Sequence, residues 1–274
     1  MASRPTNEVL SPRDFDRISK LAFETAGIDL REGKQELVQA RLGKKIREGN
    51  FGSFREYYQH VLADRSGGEL IALLDALTTN FTSFLREPAH FDFLRKSIVP
   101  ELQGPIRIWS AACSTGEEPF TIAFSLLEEL GMPACNRISI LASDISTRAL
   151  AAAGRSAYLA ERFSECPPDW PRKYMLRGSG RSEGWYLVKP AIRRLIEFRR
   201  LNLMETFHPP QPFRAIFCRN VMIYFNKETQ SQLVNRFAGC LAPGGYLLIG
   251  HSESLTGLQH PYEYIKPAVY RKRS

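Results

Sequence analysis

Long hydrophobic runs, closely spaced cysteine pairs and complete nucleotide-binding motifs are all missing from this sequence of 274 residues. Its apolar stretches, such as residues 149–153 and 221–225, are far shorter than the roughly 20 residues that a membrane-spanning helix needs. No apolar stretch follows the first charged residues, so no secretory signal peptide is predicted. The five cysteines include no Cys-x-x-Cys pair, which argues against a disulfide framework and a structural zinc site. The cytoplasm is therefore the expected compartment.

Glycine is also scarce where a nucleotide-binding loop would need it. The loop after the first predicted strand contains only Gly116, where a dinucleotide-binding fingerprint has three glycines. No lysine follows Gly116 as in a P-loop, which disfavours a nucleoside triphosphate. Taken alone, this loop is better interpreted as a structural turn than as a ligand site.

Positive charge is in excess, because 37 lysines and arginines stand against 29 acidic residues and give a net charge of +8. The hydrophobic share of 43% and the charged share of 24% are those of an ordinary globular protein, which excludes a wholly disordered chain. A basic protein favours an acidic partner such as nucleic acid, an anionic membrane surface or an acidic protein face. A basic enzyme without a polyanionic partner explains the composition equally well.

Hydrophobic periodicity divides the chain into two halves. From about Ser11 to about Phe84, apolar residues recur at helical spacing without strand alternation. From Pro105 onward, short apolar strands alternate with helices, which predicts βαβ units, a largely parallel sheet and helices on both faces. Residues 268–270 are predicted to close this sheet at an edge. Between residues 174 and 190, glycine turns precede aromatic and β-branched residues, which predicts a small antiparallel insertion.

Polar residues follow two of the predicted strands, at the edge where open α/β sheets bind ligands. Asp144 ends the second strand, where an acidic residue commonly accepts hydrogen bonds from ribose hydroxyls, although it would also serve as a helix N-cap. The fourth strand is predicted at residues 215–218. Arg219 and Asn220 follow it amid apolar neighbours, and Tyr224 lies just beyond them. Together with the turn at Gly116, Asp144 favours an adenosine-containing cofactor.

A second polar segment, residues 78–91, lies just before the sheet and is dense in hydrogen-bonding side chains. A helix-capping cluster would explain most of it but would not explain Arg86. Together these blocks resemble the CheR family of chemotaxis receptor glutamate methyltransferases, from about Asp14 to Tyr270. Each block is modest alone, and their order and spacing make the resemblance specific. The blocks are residues 78–87, 114–119, 142–145, 217–225 and 250–254.

The resemblance implies a two-domain α/β protein. A Rossmann-like methyltransferase domain is expected over residues 85–274, with the antiparallel β insertion at about 170–195, and an all-helical, receptor-docking domain is expected over residues 1–84. The implied reaction transfers a methyl group from S-adenosylmethionine to glutamate side chains of methyl-accepting chemotaxis proteins. Its products are glutamate methyl esters, which serve sensory adaptation, and S-adenosylhomocysteine. No metal is expected.

The family motifs also imply site residues. Glu117 is an alternative to Glu118 in the cofactor site, because the loop can be aligned with the family motif in a register shifted by one residue. Arg86 and Tyr224 are expected to face the reacting methyl group, with Arg86 orienting the acceptor carboxylate. That carboxylate is ionised at neutral pH, so no general base is needed. The residues expected to line the cofactor site are Asn80, Thr82, Arg86, Glu118, Asp144, Asn202, Leu203, Arg219 and Asn220.

The expected partner is the acidic, helical methylation region of chemoreceptors in the cytoplasm, where the enzyme would be recruited to receptor arrays without inserting into the membrane. A basic cluster in the helical half suits docking to that region, although a solvated helix face would look the same. In some family members the insertion binds a C-terminal receptor peptide by strand addition. The basic cluster consists of Lys34, Arg41, Lys44, Lys45 and Arg47.

Two other classes of function fit parts of the sequence. A nucleic-acid methyltransferase would suit the positive charge, but the Pro209-Pro210 pair precedes the fourth strand, whereas a base-methylating loop follows it. A binding module that has lost catalysis would keep the fold, but Arg86, Asp144 and Tyr224 are all present. Both alternatives are therefore weaker than the interpretation as a receptor glutamate methyltransferase.

Overall fold

The structure is a computed structural model that describes residues 9–30, 33–79 and 81–273. It divides into two compact units, one of Met1–Asn80 with Tyr224–Thr229 and one of Phe81–Ile223 with Gln230–Ser274. Within the described ranges, no helix has both the length and the hydropathy needed to cross a membrane.

The first unit is helical, as the sequence predicts. Serine side chains begin two of its helices, because Ser11 Oγ accepts a hydrogen bond from the N–H of Asp14 at 3.1 Å and Ser53 Oγ accepts one from the N–H of Glu56 at 3.2 Å. Each helix turns an apolar face inward, as at Ile18, which is fully buried. The helices are α1 (Pro12–Ala26), α2 (Gln35–Glu48), α3 (Phe54–Ala63) and α4 (Gly68–Leu77).

The second unit alternates strands and helices. Its strands are β1 (Ile106–Ala111), β2 (Ile138–Asp144), β3 (Ala157–Leu159), β4 (Met175–Arg177), β5 (Trp185–Val188), β6 (Ile196–Arg200), β7 (Phe213–Cys218), β8 (Leu241–Ile249), β9 (Tyr262–Lys266) and β10 (Val269–Lys272). Its helices are α5 (Ala89–Phe93), α6 (Glu117–Leu130), α7 (Thr147–Arg155), α8 (Trp170–Tyr174) and α9 (Pro190–Arg193), and α10 spans Lys227–Cys240.

Seven strands form one mixed sheet in the order β6-β2-β1-β7-β8-β10-β9. The pairs among the first five of these strands are parallel, and β10 pairs antiparallel with both β8 and β9. From β1 the chain moves to β2 and β6 on one side, then returns to β7 and β8 on the other. This reversal opens a crevice at the carboxyl ends of β1, β2 and β7, where open α/β sheets bind ligands.

A separate three-stranded antiparallel sheet has the order β3-β5-β4. The predicted insertion is therefore present. Its first strand, at Ala157–Leu159, lies before the expected range of residues 170–195.

The predicted edge of the large sheet is wrong. Residues 269–272 form β10, which pairs on both sides, and the edge strand is β9. The apolar–polar alternation in β9 covers only residues 262–264, which is too short a run for periodicity to identify a strand.

Candidate cofactor and active site

The loop after β1 has an unusual backbone. Ala112 and Ser114 adopt left-handed conformations with φ of 65° and 50°, and Gly116 has φ of 96°. A Cβ atom on Gly116 would lie 2.8 Å from the hydroxyl oxygen of Tyr158 and 2.9 Å from Cβ of Ala153. Glycine is therefore required here both by conformation and by space. Such backbone geometry is costly and clusters at functional sites.

Asp144, at the end of β2, connects this loop to the second strand. One carboxylate oxygen accepts from the N–H of Ser114 and the other from the N–H of Ser146, both at 2.8 Å. The N-cap of α7 is Ser146, whose Oγ accepts from the N–H of Ala149 at 3.1 Å. Asp144 is therefore not that cap, and its carboxylate lies at the crevice of the switch point.

Arg219 follows β7 and is almost wholly buried among acidic partners. Its guanidinium donates to Glu118 at 2.8 Å and to Glu87 at 3.1 Å, and it also donates to the backbone carbonyl of Arg86. Its Cζ atom lies 5.3 Å from the ring centroid of Phe91. Four neighbours therefore fix this side chain, and its charge is balanced within the protein.

Glu118 completes this arrangement from the first turn of α6. Its other oxygen accepts from the hydroxyl of Ser110 on β1 at 2.7 Å. Burial raises the pKa of Glu118, and the charge of Arg219 opposes that rise. The pair thus connects the first turn of α6 to the end of β7.

Asn220 is held through both its side chain and its backbone. It has a left-handed φ of 57°, its Nδ2 donates to Glu87 at 3.1 Å, and its N–H donates to Glu253 at 3.0 Å. Glu253 also accepts from the N–H of Gly250 at 2.6 Å and of Ile223 at 3.2 Å. A Cβ on Gly250 would approach Asn220 Nδ2 to 2.5 Å, so glycine is needed for this close approach.

Glu117 has different partners from Glu118. Its carboxylate accepts from the Thr115 hydroxyl at 2.6 Å and lies 3.3 Å from the guanidinium of Arg162. Burial raises the pKa of Glu117. Only Glu118, of these two residues, pairs with Arg219, which favours Glu118 as the residue coupled to the switch-point crevice.

Thr82 and Arg86 lie in the segment that opens the second unit. The Thr82 carbonyl accepts from Arg162 at 3.4 Å. The guanidinium of Arg86 donates to the carbonyl of Phe81 at 2.7 Å and lies 5.6 Å from the centroid of the Phe81 ring. Arg86 is thus partly held by its own segment.

Tyr224 belongs to the first unit, where its hydroxyl oxygen accepts from the N–H of Thr79 at 2.9 Å. Asn80 lies outside the described residues. The expected role of Tyr224 at the reacting methyl group and that of Asn80 in the cofactor site remain predictions.

Asn202 and Leu203 lie just after β6. The Asn202 side chain accepts from the N–H of Met204 at 3.0 Å, and the Leu203 carbonyl accepts from Arg236 at 2.6 Å. Both residues line a cavity of about 20 Å³ beside Trp109. That volume holds about one water and no adenine ring, so their contact with an adenosyl group remains a prediction.

Glu87 was not among the expected site residues, although it lies in the polar segment of residues 78–91, and it has His90 and His251 as neighbours. Oε2 of Glu87 accepts from the N–H of His251 at 3.2 Å and lies 3.5 Å from Nδ1 of His90. The rings of His90 and His251 are 4.7 Å apart. The sequence signal for Glu87 was its position beside Arg86, in a polar segment that helix capping does not fully explain.

The ligand atoms of Glu87, His90 and His251 lie within 4.8 Å of one another, which is the composition of a zinc site. The same Glu87 oxygen, however, already accepts from Arg219 and from the backbone of His251. A cation there would face the guanidinium directly. Glu87 is therefore better interpreted as the partner of Arg219 and of the His251 backbone than as a metal ligand.

Arg41 in the first unit is engaged internally. Its guanidinium donates to the Leu77 carbonyl and to the Thr79 hydroxyl at 2.7 Å, so it fixes the end of α4. Its part in receptor docking remains a prediction, and an internal role competes with it.

The other basic residues expected to dock lie at the start of α2 or along it. Lys34 precedes the helix, and Lys44 is exposed with its Nζ 3.8 Å from Glu48. Arg47 is exposed and Lys45 is half-buried. These charges are available to solvent, as either docking or a solvated face requires.

The crevice is acidic in an otherwise basic protein. Beside three guanidinium groups, those of Arg86, Arg162 and Arg219, it carries five carboxylates. Carboxylates at this edge of the sheet suit a ligand that carries a sulfonium and an ammonium group. The left-handed backbone of the β1 loop and the Asp144 carboxylate at the end of β2 suit a nucleoside placed against the backbone. The five carboxylates are those of Glu87, Glu117, Glu118, Asp144 and Glu253.

Fold and site together define a Rossmann-like, S-adenosylmethionine-dependent methyltransferase. The family model of the CheR methyltransferase SAM-binding domain matches residues 80–270, and that of the CheR all-alpha domain matches residues 13–78. The chain belongs to the CheR methyltransferase family.

Named relatives agree with this assignment. The chain is 41% identical over 262 residues to chemotaxis protein methyltransferase 2 of Pseudomonas aeruginosa, covering 94% of this chain and 92% of the relative. It is 39% identical to the chemotaxis protein methyltransferase of Salmonella typhimurium, covering 95% and 90%. Among solved structures, the glycopeptide N-methyltransferase MtfA complexed with sinefungin matches with a TM-score of 0.37 and 16% identity, covering 62% of this chain and 50% of that one.

Proposed function

We propose that this protein transfers a methyl group from S-adenosylmethionine to glutamate side chains in the cytoplasmic methylation region of chemoreceptors. The observation that carries the proposal is the match of both CheR domains over nearly the whole chain, with an acidic crevice at the switch point of the sheet. The products are a glutamate methyl ester and S-adenosylhomocysteine, and the reaction serves sensory adaptation.

For this reaction the protein mainly has to align the methyl donor with the acceptor carboxylate. The cofactor supplies a methyl group on a positively charged sulfur. The new bond joins this carbon to a carboxylate oxygen, the carbon–sulfur bond breaks, and its electron pair remains on sulfur. A glutamate carboxylate, with an ordinary pKa of about 4.3, is already ionised at neutral pH. No proton moves, so the chain needs neither a general base nor a metal.

The residues of the crevice then have distinct tasks. Asp144 accepts hydrogen bonds from the ribose, and Glu118 with Arg219 and Asn220 forms the wall near the charged end of the cofactor. Thr82, Asn80, Asn202 and Leu203 complete the binding site. Their support is the family position of each residue, the placement of Asp144, Arg219 and Asn220 at the carboxyl ends of the strands, and the pairing of Glu118 with Arg219.

Arg86 and Tyr224 act on the acceptor. An acidic crevice repels an incoming carboxylate, and the guanidinium of Arg86 offsets that repulsion while orienting the oxygen toward the methyl carbon. Alignment of donor and acceptor is worth roughly 7–11 kcal/mol in favourable cases. The Arg86→Ala variant is expected to lose at least 100-fold in turnover while its affinity for S-adenosylmethionine falls far less, since orientation is needed for transfer. Unchanged turnover would remove Arg86 from the mechanism.

Receptor binding involves surfaces on both units. Lys34, Arg41, Lys44, Lys45 and Arg47 are proposed to steer the enzyme to the acidic methylation helices. On the insertion, strand β4 is an edge strand, and a cavity of about 400 Å³ beside it is lined by Arg177, Arg181 and Trp185, among other residues. This lining suits a receptor C-terminal peptide that adds a strand and presents an acidic group. Such contacts would recruit the enzyme to receptor arrays in the cytoplasm.

Transfer of tritium from labelled S-adenosylmethionine to purified receptor cytoplasmic fragments tests the proposal. Label on the receptor that is released by mild base identifies a carboxyl ester. RNA and DNA serve as control acceptors, and label on them in place of the receptor fragments would contradict the proposal. Addition of EDTA is expected to leave the rate unchanged, and a rate that falls and is restored by a divalent cation would show that a metal is required.

A further inference from the structure

Glu87 is the crevice carboxylate that accepts from the side chains of both Arg219 and Asn220, although neither the reaction nor the expected cofactor contacts assign it a role. Its two oxygens accept from the Arg219 guanidinium at 3.1 Å, the Asn220 amide at 3.1 Å and the N–H of His251 at 3.2 Å. Three separate segments of the chain therefore meet at one side chain. Two of its three donors are the side chains proposed to bind the cofactor.

The electrostatics agree with this geometry. The Glu87 side chain is 16% exposed, and burial alone would raise its pKa. The charge of Arg219 and the hydrogen bond from Asn220 outweigh burial and hold the pKa below its ordinary value. Glu87 is therefore ionised at neutral pH. Its negative charge complements the Arg219 guanidinium and the N–H donors of Asn220.

The backbone at Glu87 is also held in place. Its φ is 58°, and Leu85, two residues before it, has φ of 54°. Non-glycine residues adopt this conformation at a cost of order 1–3 kcal/mol each, and they do so where the surrounding contacts enforce it. The left-handed turn at Glu87 is part of how its carboxylate reaches Arg219 and Asn220.

Glu253 offers an internal contrast. It contacts the same dipeptide, but its described hydrogen bonds come from backbone N–H groups, those of Asn220, Ile223 and Gly250. Glu253 therefore determines the path of the loop, whereas Glu87 determines where the Arg219 and Asn220 side chains point.

We infer that Glu87 is a positioning residue for cofactor binding, which acts by orienting the Arg219 and Asn220 side chains before S-adenosylmethionine arrives. The inference rests on the proposed function, since it takes those two side chains as cofactor contacts. Glu87 itself does not touch the reacting atoms.

The test is the Glu87→Gln variant, which keeps the size of the side chain and removes its charge. The amide nitrogen of glutamine would face the N–H groups of Arg219 or Asn220, so at least one of these side chains must turn away. Titration calorimetry with S-adenosylmethionine is expected to show affinity weakened at least tenfold, or about 1.4 kcal/mol. In steady-state assays KM for S-adenosylmethionine should rise, and turnover at saturating cofactor should fall much less.

A double-mutant cycle separates positioning from general damage. In an Asn220→Ala background, Glu87→Gln is expected to weaken cofactor binding clearly less than it does in the wild-type protein, because one of the side chains it orients is gone. Glu101→Gln, at an ion pair with Arg271 of 2.9 Å, is the matched control and should leave affinity unchanged. Glu253→Gln should lower the unfolding temperature more than Glu87→Gln does.

The outcomes are distinct. If wild-type protein does not bind S-adenosylmethionine, the proposed function fails. If wild-type protein binds and Glu87→Gln binds equally well, only the positioning inference fails. Additive effects in the cycle, with an unfolding temperature lowered as much as by Glu253→Gln, would show a purely structural role and would likewise overturn the inference.

Discussion

The crevice of the second unit and the basic helix α2 of the first unit are both rich in charge, and they differ in burial. In the crevice, the side chain of Arg219 is 2% exposed and its partners Glu87 and Glu118 are 16% and 11% exposed. On α2, Lys44 and Glu48 are 74% and 59% exposed and lie 3.8 Å apart. A buried ion pair is specified by geometry and is costly to break from one side, whereas an exposed pair contributes at most about 1 kcal/mol.

The difference indicates which charged positions depend on exact geometry and which depend only on total charge. Crevice charges have two or more partners each, so each position admits few substitutions. Charges on α2 act through their sum and through solvent, so they tolerate exchange and respond to salt. Four experiments probe this contrast.

Removal of the Arg219 guanidinium is expected to have the largest effect. In Arg219→Met the carboxylates of Glu87 and Glu118 stay buried without their cation, which costs about 3–5 kcal/mol in the free energy of unfolding. Urea unfolding measures this loss. Arg271→Met, at a pair whose side chains are 39% and 37% exposed, is the control and should cost less than about 1 kcal/mol. Equal losses in the two variants would erase the contrast.

Substitution of Asp144 is expected to act on binding. Asp144→Asn keeps the shape of the side chain but removes a charge and an acceptor at the crevice, so affinity for S-adenosylmethionine should fall by about 1.5–3 kcal/mol. Calorimetry gives this value directly. Asp92→Asn, at an exposed pair with Arg95, is the control. Unaltered affinity in Asp144→Asn would remove this residue from the binding site.

Acid should destabilise the protein through His90. This side chain is fully buried, and burial, aided by Arg219, lowers the pKa of His90 to about 3. The unfolded chain binds a proton at this histidine below its ordinary pKa of about 6.5, and the folded chain does not, so stability falls as pH drops from that value. Between pH 7 and 5.5, this histidine should contribute a loss of about 1 kcal/mol.

The His90→Asn variant isolates this contribution. Its free energy of unfolding, measured with urea at both pH values, should decline by about 1 kcal/mol less than that of the wild-type protein. An identical decline in both proteins would show that His90 is protonated equally in the folded and unfolded states.

Charge reversal on α2 is expected to have the smallest effect. Lys44→Glu with Lys45→Glu should slow methylation of receptor fragments several-fold at low salt, and the difference should shrink as ionic strength rises and the Debye length falls below about 8 Å. Affinity for S-adenosylmethionine should not change, because both lysines lie in the all-alpha domain and outside the residues that match the SAM-binding domain. Equal rates at low salt would leave the cluster as a solvated face.

Much of the architecture was predictable because it depends on periodicity. Periodicity predicted the helical half before about Phe84 and the alternating strands and helices after Pro105, and the structure has both. The order of β9 and β10 was not predictable, because the apolar–polar alternation in β9 covers only residues 262–264. Pairing between strands is also a long-range property that periodicity does not encode.

The site was predictable only in part. Motif positions identified Asp144, Arg219 and Asn220, and the structure places all three at the carboxyl ends of the strands. The partnership of Arg219 with Glu87 joins positions 132 residues apart, and no local signal reveals it. Helical spacing likewise suggested a uniform basic face on α2, but Arg41 reaches back to the end of α4.

The placement of β10 inside the sheet bears on how the crevice withstands local opening. Sheets fray from their outermost strands, and on the β10 side of this sheet that strand is β9, which carries none of the crevice residues named above. The loop that carries Glu253 is fastened one strand further in, where the Tyr270 hydroxyl accepts from the N–H of Leu255 at 3.2 Å. Amide hydrogens of β9 should therefore exchange with solvent well before those of β10, while the loop that fixes Asn220 keeps its shape.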